Sequence, residues 1–247
     1  MIQSVIILFL SALLGGLLAI KSIDIVFQNV KYLLVFAGSF LFSITILHIL
    51  PELFESGANY SFIALAILIG FFFQQFLEYF TNGVEHGHMH IHQHENSHTS
   101  ISGITLMIAL CFHGFLEGTL LAHPDTIHVN DSEGSLLAGI VLHKIPAALA
   151  LISVLSCYFK SKKTQIILLI VFALASPLGI ISGQYIGQYG LLDMEGMVLL
   201  FAFVAGNFLH ISTTIFIESS PEHSWNTKKM IVSGIAAVIA VLTELVF

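Results

Sequence analysis

Apolar stretches long enough to cross a bilayer recur along almost the whole chain, and nothing else constrains its fold as strongly. About 20 apolar residues in a helix cross the ~30 Å hydrocarbon core. Eight stretches qualify: Ser4–Ile20, Tyr32–Leu50, Ser61–Phe80, Ile101–Ala122, Gly134–Tyr158, Gln165–Ile186, Glu195–Ile217 and Lys229–Val246. Only 9% of the 247 residues are charged and 56% are hydrophobic. A soluble domain usually carries about 25% charge, so a soluble globule is ruled out, as are disorder and coiled coil. The expected fold is an all-α integral membrane protein with eight transmembrane helices and the lipid bilayer as its surroundings. The first stretch has no basic n-region, so it reads as a spanning helix and not a signal peptide. A net charge of -7 without a single arginine argues against nucleic-acid binding. Cys111 and Cys157 sit in apolar stretches and make no CxxC pattern.

The organisation follows from these spans. Residues 1–80 hold transmembrane helices 1–3, and residues 81–100 form the longest connection. Residues 101–158 hold central helices 4 and 5, and residues 165–247 hold helices 6–8. Lys21, Lys31, Lys160, Lys162, Lys163, Lys228 and Lys229 all fall in connections on one side. The opposite connections carry Glu52, Glu55, Asp125, Asp131, Glu133 and Asp193. By the positive-inside rule both termini lie outside, and the 81–100 loop is cytoplasmic. Ala37-Gly38-Ser39-Phe40-Leu41 on span two resembles Ala205-Gly206-Asn207-Phe208-Leu209 on span seven. The two spans run in opposite directions, which fits an inverted repeat of spans 1–3 and 6–8 around a central pair. Ala-Gly-x-Phe is also ordinary packing vocabulary, so that similarity alone does not decide the point.

Ionisable residues at membrane depth are costly, and each is a functional candidate. Span four carries His113 and Glu117, four residues apart and so on one helical face. Span five carries His143 and Lys144, followed by Pro146, where a kink is expected. His113 and His143 fall near mid-bilayer on antiparallel spans. Two imidazoles and a carboxylate at that depth suit a transition metal such as zinc. The bland alternative is an interhelical hydrogen-bond knot, but the coincidence of all three groups beside a proline favours a metal or proton site. Gly179, Gly183 and Gly187 on span six, and Gly114 and Gly118 on span four, read as close-packing faces.

Outside the centre, His86, His88, His90, His92, His94 and His98 alternate along the cytoplasmic loop. Alternating histidines in such a segment bind divalent transition metals in interchangeable ways. His48 and Glu52, at the outer end of span two, are candidates for metal access, though His48 is equally an interfacial residue. His210, Glu218 and His223 could line an exit, with Glu218 and His223 equally open to simple solvation. Glu78, near the inner end of span three, is expected to reach the interface.

Eight spans, a histidine-rich loop before span four and His113-x-x-x-Glu117-Gly118 resemble the ZIP (ZRT/IRT-like) divalent metal transporters. His143-Lys144-Ile145-Pro146 is similar to that family's His-Glu-x-Pro-His signature. His48-Ile-Leu-Pro51-Glu52 and Ser176-Pro177-Leu178-Gly179 resemble its span-two and span-six motifs. The resemblance implies a 3+2+3 helix arrangement and movement of zinc, iron, manganese or cadmium into the cytoplasm, with the metal as transported substrate. It implies that His113, Glu117 and His143 are primary-site ligands. It also exposes departures. Lys144 replaces an acidic ligand of a second metal, Ala147 replaces a ligand after the proline, Gly114 stands where a polar residue is common, and Ser176 where some members carry glutamate. The expectation is a single-metal site with Lys144 in place of the second ion. The competing functions are an intramembrane zinc hydrolase, which is not expected for want of a His-Glu-x-x-His motif, and a metal exporter. Neither a long extracellular domain nor a targeting segment is evident, which favours a prokaryotic plasma membrane, and the oligomeric state is open, a homodimer included.

Overall fold

The computed structural model describes residues 2–21, 23–81, 103–122, 133–218 and 227–246. These residues form eight helices, and no strand occurs among them. Helix α1 is Ile2–Lys21. Helix α2 is Ile23–Ile44, continued by a π turn at Thr45–Ile49 and a final segment Leu50–Glu55. Then come α3 (Tyr60–Thr81), α4 (Gly103–Leu120), α5 (Glu133–Tyr158), α6 (Lys162–Gln188), α7 (Met194–Glu218) and α8 (Thr227–Val246).

By length and composition, six of these are able to cross a membrane: α1, α2, α3, α5, α6 and α7. The apolar run of α4, Ile104–Leu120, is shorter. Helix α8 begins with Thr227, Lys228 and Lys229 and carries Glu244 near its other end. The eight expected stretches thus all fall on helices, but six reach spanning length and apolarity.

Two prolines lie inside helices without ending them. α5 continues through Pro146 and α6 through Pro177. Pro51 has a visible local consequence in α2. It cannot donate a hydrogen bond to the preceding turn, and the helix widens just before it, with the Leu50 N–H bonded to the Thr45 carbonyl. Such π turns accommodate one residue more per turn. Ser161 caps α6 by accepting a hydrogen bond from the Thr164 N–H.

The helices pack as two groups. In one, α1 lies along α5 and α6, and α4 lies along α6. In the other, α3 lies along α7, and α2 lies along α8 and α7. The two groups meet chiefly where α2 also lies along α5. Lipid tails are as apolar as leucine, so association in a bilayer depends on close packing more than on hydrophobic burial. Glycines provide that closeness inside each group. A Cβ on Gly118 would run into the Ser176 carbonyl, and one on Gly179 into the Phe115 carbonyl, which presses α4 directly onto α6. Gly206 and Gly70 do the same for α7 and α3, against the carbonyls of Ile67 and Phe203. Gly15 of α1 faces the Ile145 carbonyl of α5. Between the groups, a Cβ on Gly139 of α5 would meet side chains at ordinary distances, the Phe40 ring at 3.5 Å and Leu41 at 3.7 Å.

Two buried apolar clusters reflect this division. One, with Ala12, Leu106, Leu110, Leu151, Leu155, Leu169 and Phe172, is built wholly from α1, α4, α5 and α6. The larger one joins both groups through Leu8, Phe40, Leu53, Leu116, Leu120, Ile140, Ile180, Phe201 and Phe208. Large apolar side chains such as Leu65, Leu68, Phe72 and Phe76 of α3 remain exposed, as expected of a lipid-facing surface. Their neighbours Phe71 and Phe73 turn inward, onto His210 and onto Phe112 and Phe203.

Candidate metal centre

Helices α4 and α5 bring their ionisable residues to one buried place. His113 and Glu117 share a face of α4, and His143 enters from α5. All three are buried, as is Lys144, which is only 1% exposed. His113 Nε2 lies 2.8 Å from Glu117 Oε1 and 3.4 Å from His143 Nε2. His143 Nε2 lies 3.6 Å from the same Glu117 Oε1. Thus one carboxylate oxygen and two imidazole nitrogens surround a single point, with all ligand atoms within 4.8 Å of one another.

Tetrahedral zinc with bonds of about 2.0–2.1 Å sets its ligands about 3.3–3.5 Å apart. Two of the three edges, 3.4 and 3.6 Å, are close to that spacing, and the His113–Glu117 edge needs to open by roughly half an ångström. Glu117 Oε1 makes no hydrogen bond among the described residues, although an imidazole nitrogen is 2.8 Å away. Its nearest polar neighbours are the two imidazoles, so an ion held between them would give that oxygen a partner. The Nδ1 of His143 also finds no partner among the described residues, so the polar contacts of that ring are made through Nε2.

The other carboxylate oxygen is committed elsewhere. Lys144 Nζ donates to Glu117 Oε2 at 3.0 Å. The ammonium lies 5.0 Å from the centre of the Phe172 ring on α6, which adds a cation–π contact. It fills the space beside Gly114, where a Cβ would come within 2.8 Å of Nζ. Ser176, on α6, donates its hydroxyl to the Gly114 carbonyl at 2.5 Å. A buried carboxylate is tolerable only when paired and hydrogen-bonded, and Lys144 supplies that partner.

The family model described as "ZIP Zinc transporter" matches residues 81–243. The chain belongs to the ZIP zinc transporter family. Among curated proteins no significant relative is found. Membership makes this a membrane-embedded divalent metal transporter and fits its apolar helices and its buried His/Glu cluster. The matched region includes α4, α5, α6 and α7 and the histidine-rich loop before them.

The remaining candidates fall in several places. His48 is buried within the π turn of α2, with Nε2 3.6 Å from Glu52 Oε2. His210 of α7 is bound in a short ion pair with Glu78 of α3, and its ring meets the edge of Phe71. Glu78 therefore does not simply reach the interface. Glu218 ends α7, and its side chain is outside the described residues. His223 and the loop histidines His86, His88, His90, His92, His94 and His98 are outside them as well.

Sequence reasoning missed the polar seam around His210. Glu78 on α3 and His210 and Thr214 on α7 form it. Gln74 and Asn207 are fully buried, and Thr214 Oγ1 is 3.4 Å from His210 Nε2. The available signal was spacing: Gln74–Glu78 and Asn207–His210 each repeat at helical intervals within apolar stretches.

Proposed function

We propose that this ZIP transporter moves zinc into the cytoplasm by alternating access, holding it in transit between His113, Glu117 and His143. The convergence of three buried ligand atoms at spacings close to tetrahedral zinc carries this reading. Iron, manganese and cadmium are the competing cargoes. Three protein ligands leave a fourth position for water or a passing ligand, which suits an ion that must be released.

The eight helices serve as eight spans in a 3+2+3 inverted arrangement. Helix pairing supports it: α1 packs on α5 as α6 packs on α4, and α3 packs on α7 as α8 packs on α2. Exchanging α1 with α6, α2 with α7, α3 with α8 and α4 with α5 maps one set of pairs onto the other. The access change is a displacement of the α1/α4/α5/α6 group against α2/α3/α7/α8. Tight glycine contacts inside each group and ordinary contact at Gly139 between them support such movement.

Both termini lie outside the cytoplasm, in a prokaryotic plasma membrane. In that orientation the larger apolar cluster seals the outer side of the site, since Leu116 and Leu120 follow His113 along α4 and Ile140 precedes His143 along α5. His48 and Glu52 assist access from outside. His210 and Glu78, together with Glu218 and His223, serve release towards the cytoplasmic loop, whose histidines capture or sense metal. Lys144 takes the place of a second metal ion, with Ser176 turned to the backbone instead of the site.

The test is labelled-zinc flux into proteoliposomes of known orientation, with metal-soaked crystals read by anomalous scattering. One anomalous peak between His113, Glu117 and His143 and inward flux are expected. Uptake that survives His113→Ala with Glu117→Ala overturns the site, outward-only flux overturns the direction, and two peaks overturn the single-metal centre.

A further inference from the structure

We propose that Lys144 is the carrier's own counter-ion: it neutralises Glu117 whenever no metal is bound, so that the metal-free carrier returns across the bilayer without a co-transported ion. The inference rests on the transport reading above. Lys144 acts through Glu117 and is therefore a positioning residue.

The geometry separates the two oxygens of Glu117. Oε1 faces both imidazoles, while Oε2 receives the ammonium at 3.0 Å. The ammonium thus balances the carboxylate without occupying the point where the three ligand atoms converge. Its surroundings are shaped for it: the missing Cβ of Gly114 leaves room for Nζ, Phe172 offers a ring face, and the Ser176 hydroxyl is directed to the Gly114 carbonyl. Gly114 and Glu117 are on α4, Lys144 is on α5, and Phe172 and Ser176 are on α6. Every partner belongs to the helix group that also holds the ligands. The counter-ion therefore travels with the site.

The consequence is a matter of charge. With both imidazoles neutral, the metal-free cluster sums to zero, one negative from Glu117 and one positive from Lys144. Loaded with a divalent ion it carries two positive charges. Without Lys144 the metal-free cluster keeps the full charge of Glu117, and an unpaired carboxylate at membrane depth is strongly disfavoured. A carrier without a built-in cation would need another ion, such as a proton, for its return step. This one contains its own.

Net uptake requires the return of the metal-free carrier, whereas exchange of labelled for unlabelled zinc across the membrane does not. The purified transporter in proteoliposomes is measured in both assays at saturating zinc. In Lys144→Gln the ratio of net uptake to exchange is expected to fall about tenfold or more. An unchanged ratio overturns the proposal, because damage to folding or to binding would lower both assays together. A second measurement needs no variant: the charge carried inward per zinc ion by the native protein under a potassium-diffusion potential. About two positive charges are expected, and a value near one, which marks an outward-moving cation, overturns the proposal. Native protein inactive in both uptake and exchange overturns the transport reading itself, an outcome separate from either result for Lys144.

Discussion

Two of the sites that pair an imidazole with a carboxylate, the α4–α5 centre and the α3–α7 seam, are built differently. At the α4–α5 centre, Glu117 meets two histidines and a lysine, and its two oxygens have separate partners. At the α3–α7 seam, Glu78 meets His210 in a close ion pair, flanked by the Thr214 hydroxyl and the Phe71 ring. The first brings a carboxylate oxygen, which makes no hydrogen bond among the described residues, together with two imidazole nitrogens 3.4 Å from each other. The second closes imidazole onto carboxylate. Residue types alone do not separate these two arrangements. The number of convergent lone pairs does, together with a cation that satisfies the remaining charge.

Removing the ligands of the first site tests the comparison most severely. His113→Ala combined with Glu117→Ala should weaken zinc binding by about 100-fold or more, because binding depends on deprotonated ligands preset in geometry. Titration calorimetry on the purified protein reads this, and an affinity within tenfold of the native value would place the principal site elsewhere. Next comes Gly118→Leu or Gly179→Leu, which drives a side chain into a backbone carbonyl across the α4–α6 contact. Overpacking of this kind costs about 1–3 kcal/mol or more. A fall in the thermal midpoint in detergent is expected, and an unchanged midpoint would show that the two helices can separate freely.

A smaller effect is expected at the second site. Glu78→Gln keeps the shape of the α3–α7 seam but removes its charge. Interhelical hydrogen bonds in membranes average only about 0.6 kcal/mol, so zinc affinity at the centre should change by less than about threefold. A severalfold slower uptake with that affinity intact would mark His210 and Glu78 as part of the release route. Loss of central binding would mean that the two sites are not separable. The smallest effect on the centre should follow deletion of Glu85–His98. Zinc affinity at His113 should be preserved, with altered capture or regulation on the cytoplasmic side, and loss of central binding would end that division of labour.

The central site was largely legible because its pattern is local. His113 and Glu117 are four residues apart, and His143 needs only an antiparallel neighbour to meet them. The seam around His210 was not, since Glu78 and His210 are 132 residues apart and nothing in either stretch names the other as partner. Pro51 and Pro146 show the same limit. Both interrupt the hydrogen-bond ladder of a helix, but one is accompanied by a π turn and the other sits within a helix that continues. Tertiary packing decides between these responses, because neighbouring helices can hold a weakened turn in place.

The sequence by itself determined an all-helical membrane-spanning chain, the residues able to ligate metal, and the presence of one lysine among them. Hydropathy and helical spacing are properties of short segments, and they survive without knowledge of neighbours. Only the tertiary structure decided that the helices divide into α1/α4/α5/α6 and α2/α3/α7/α8, and that Lys144 binds the Glu117 oxygen turned away from the two imidazoles. Those facts depend on which helix faces which, and that is settled by glycines at which one backbone touches another.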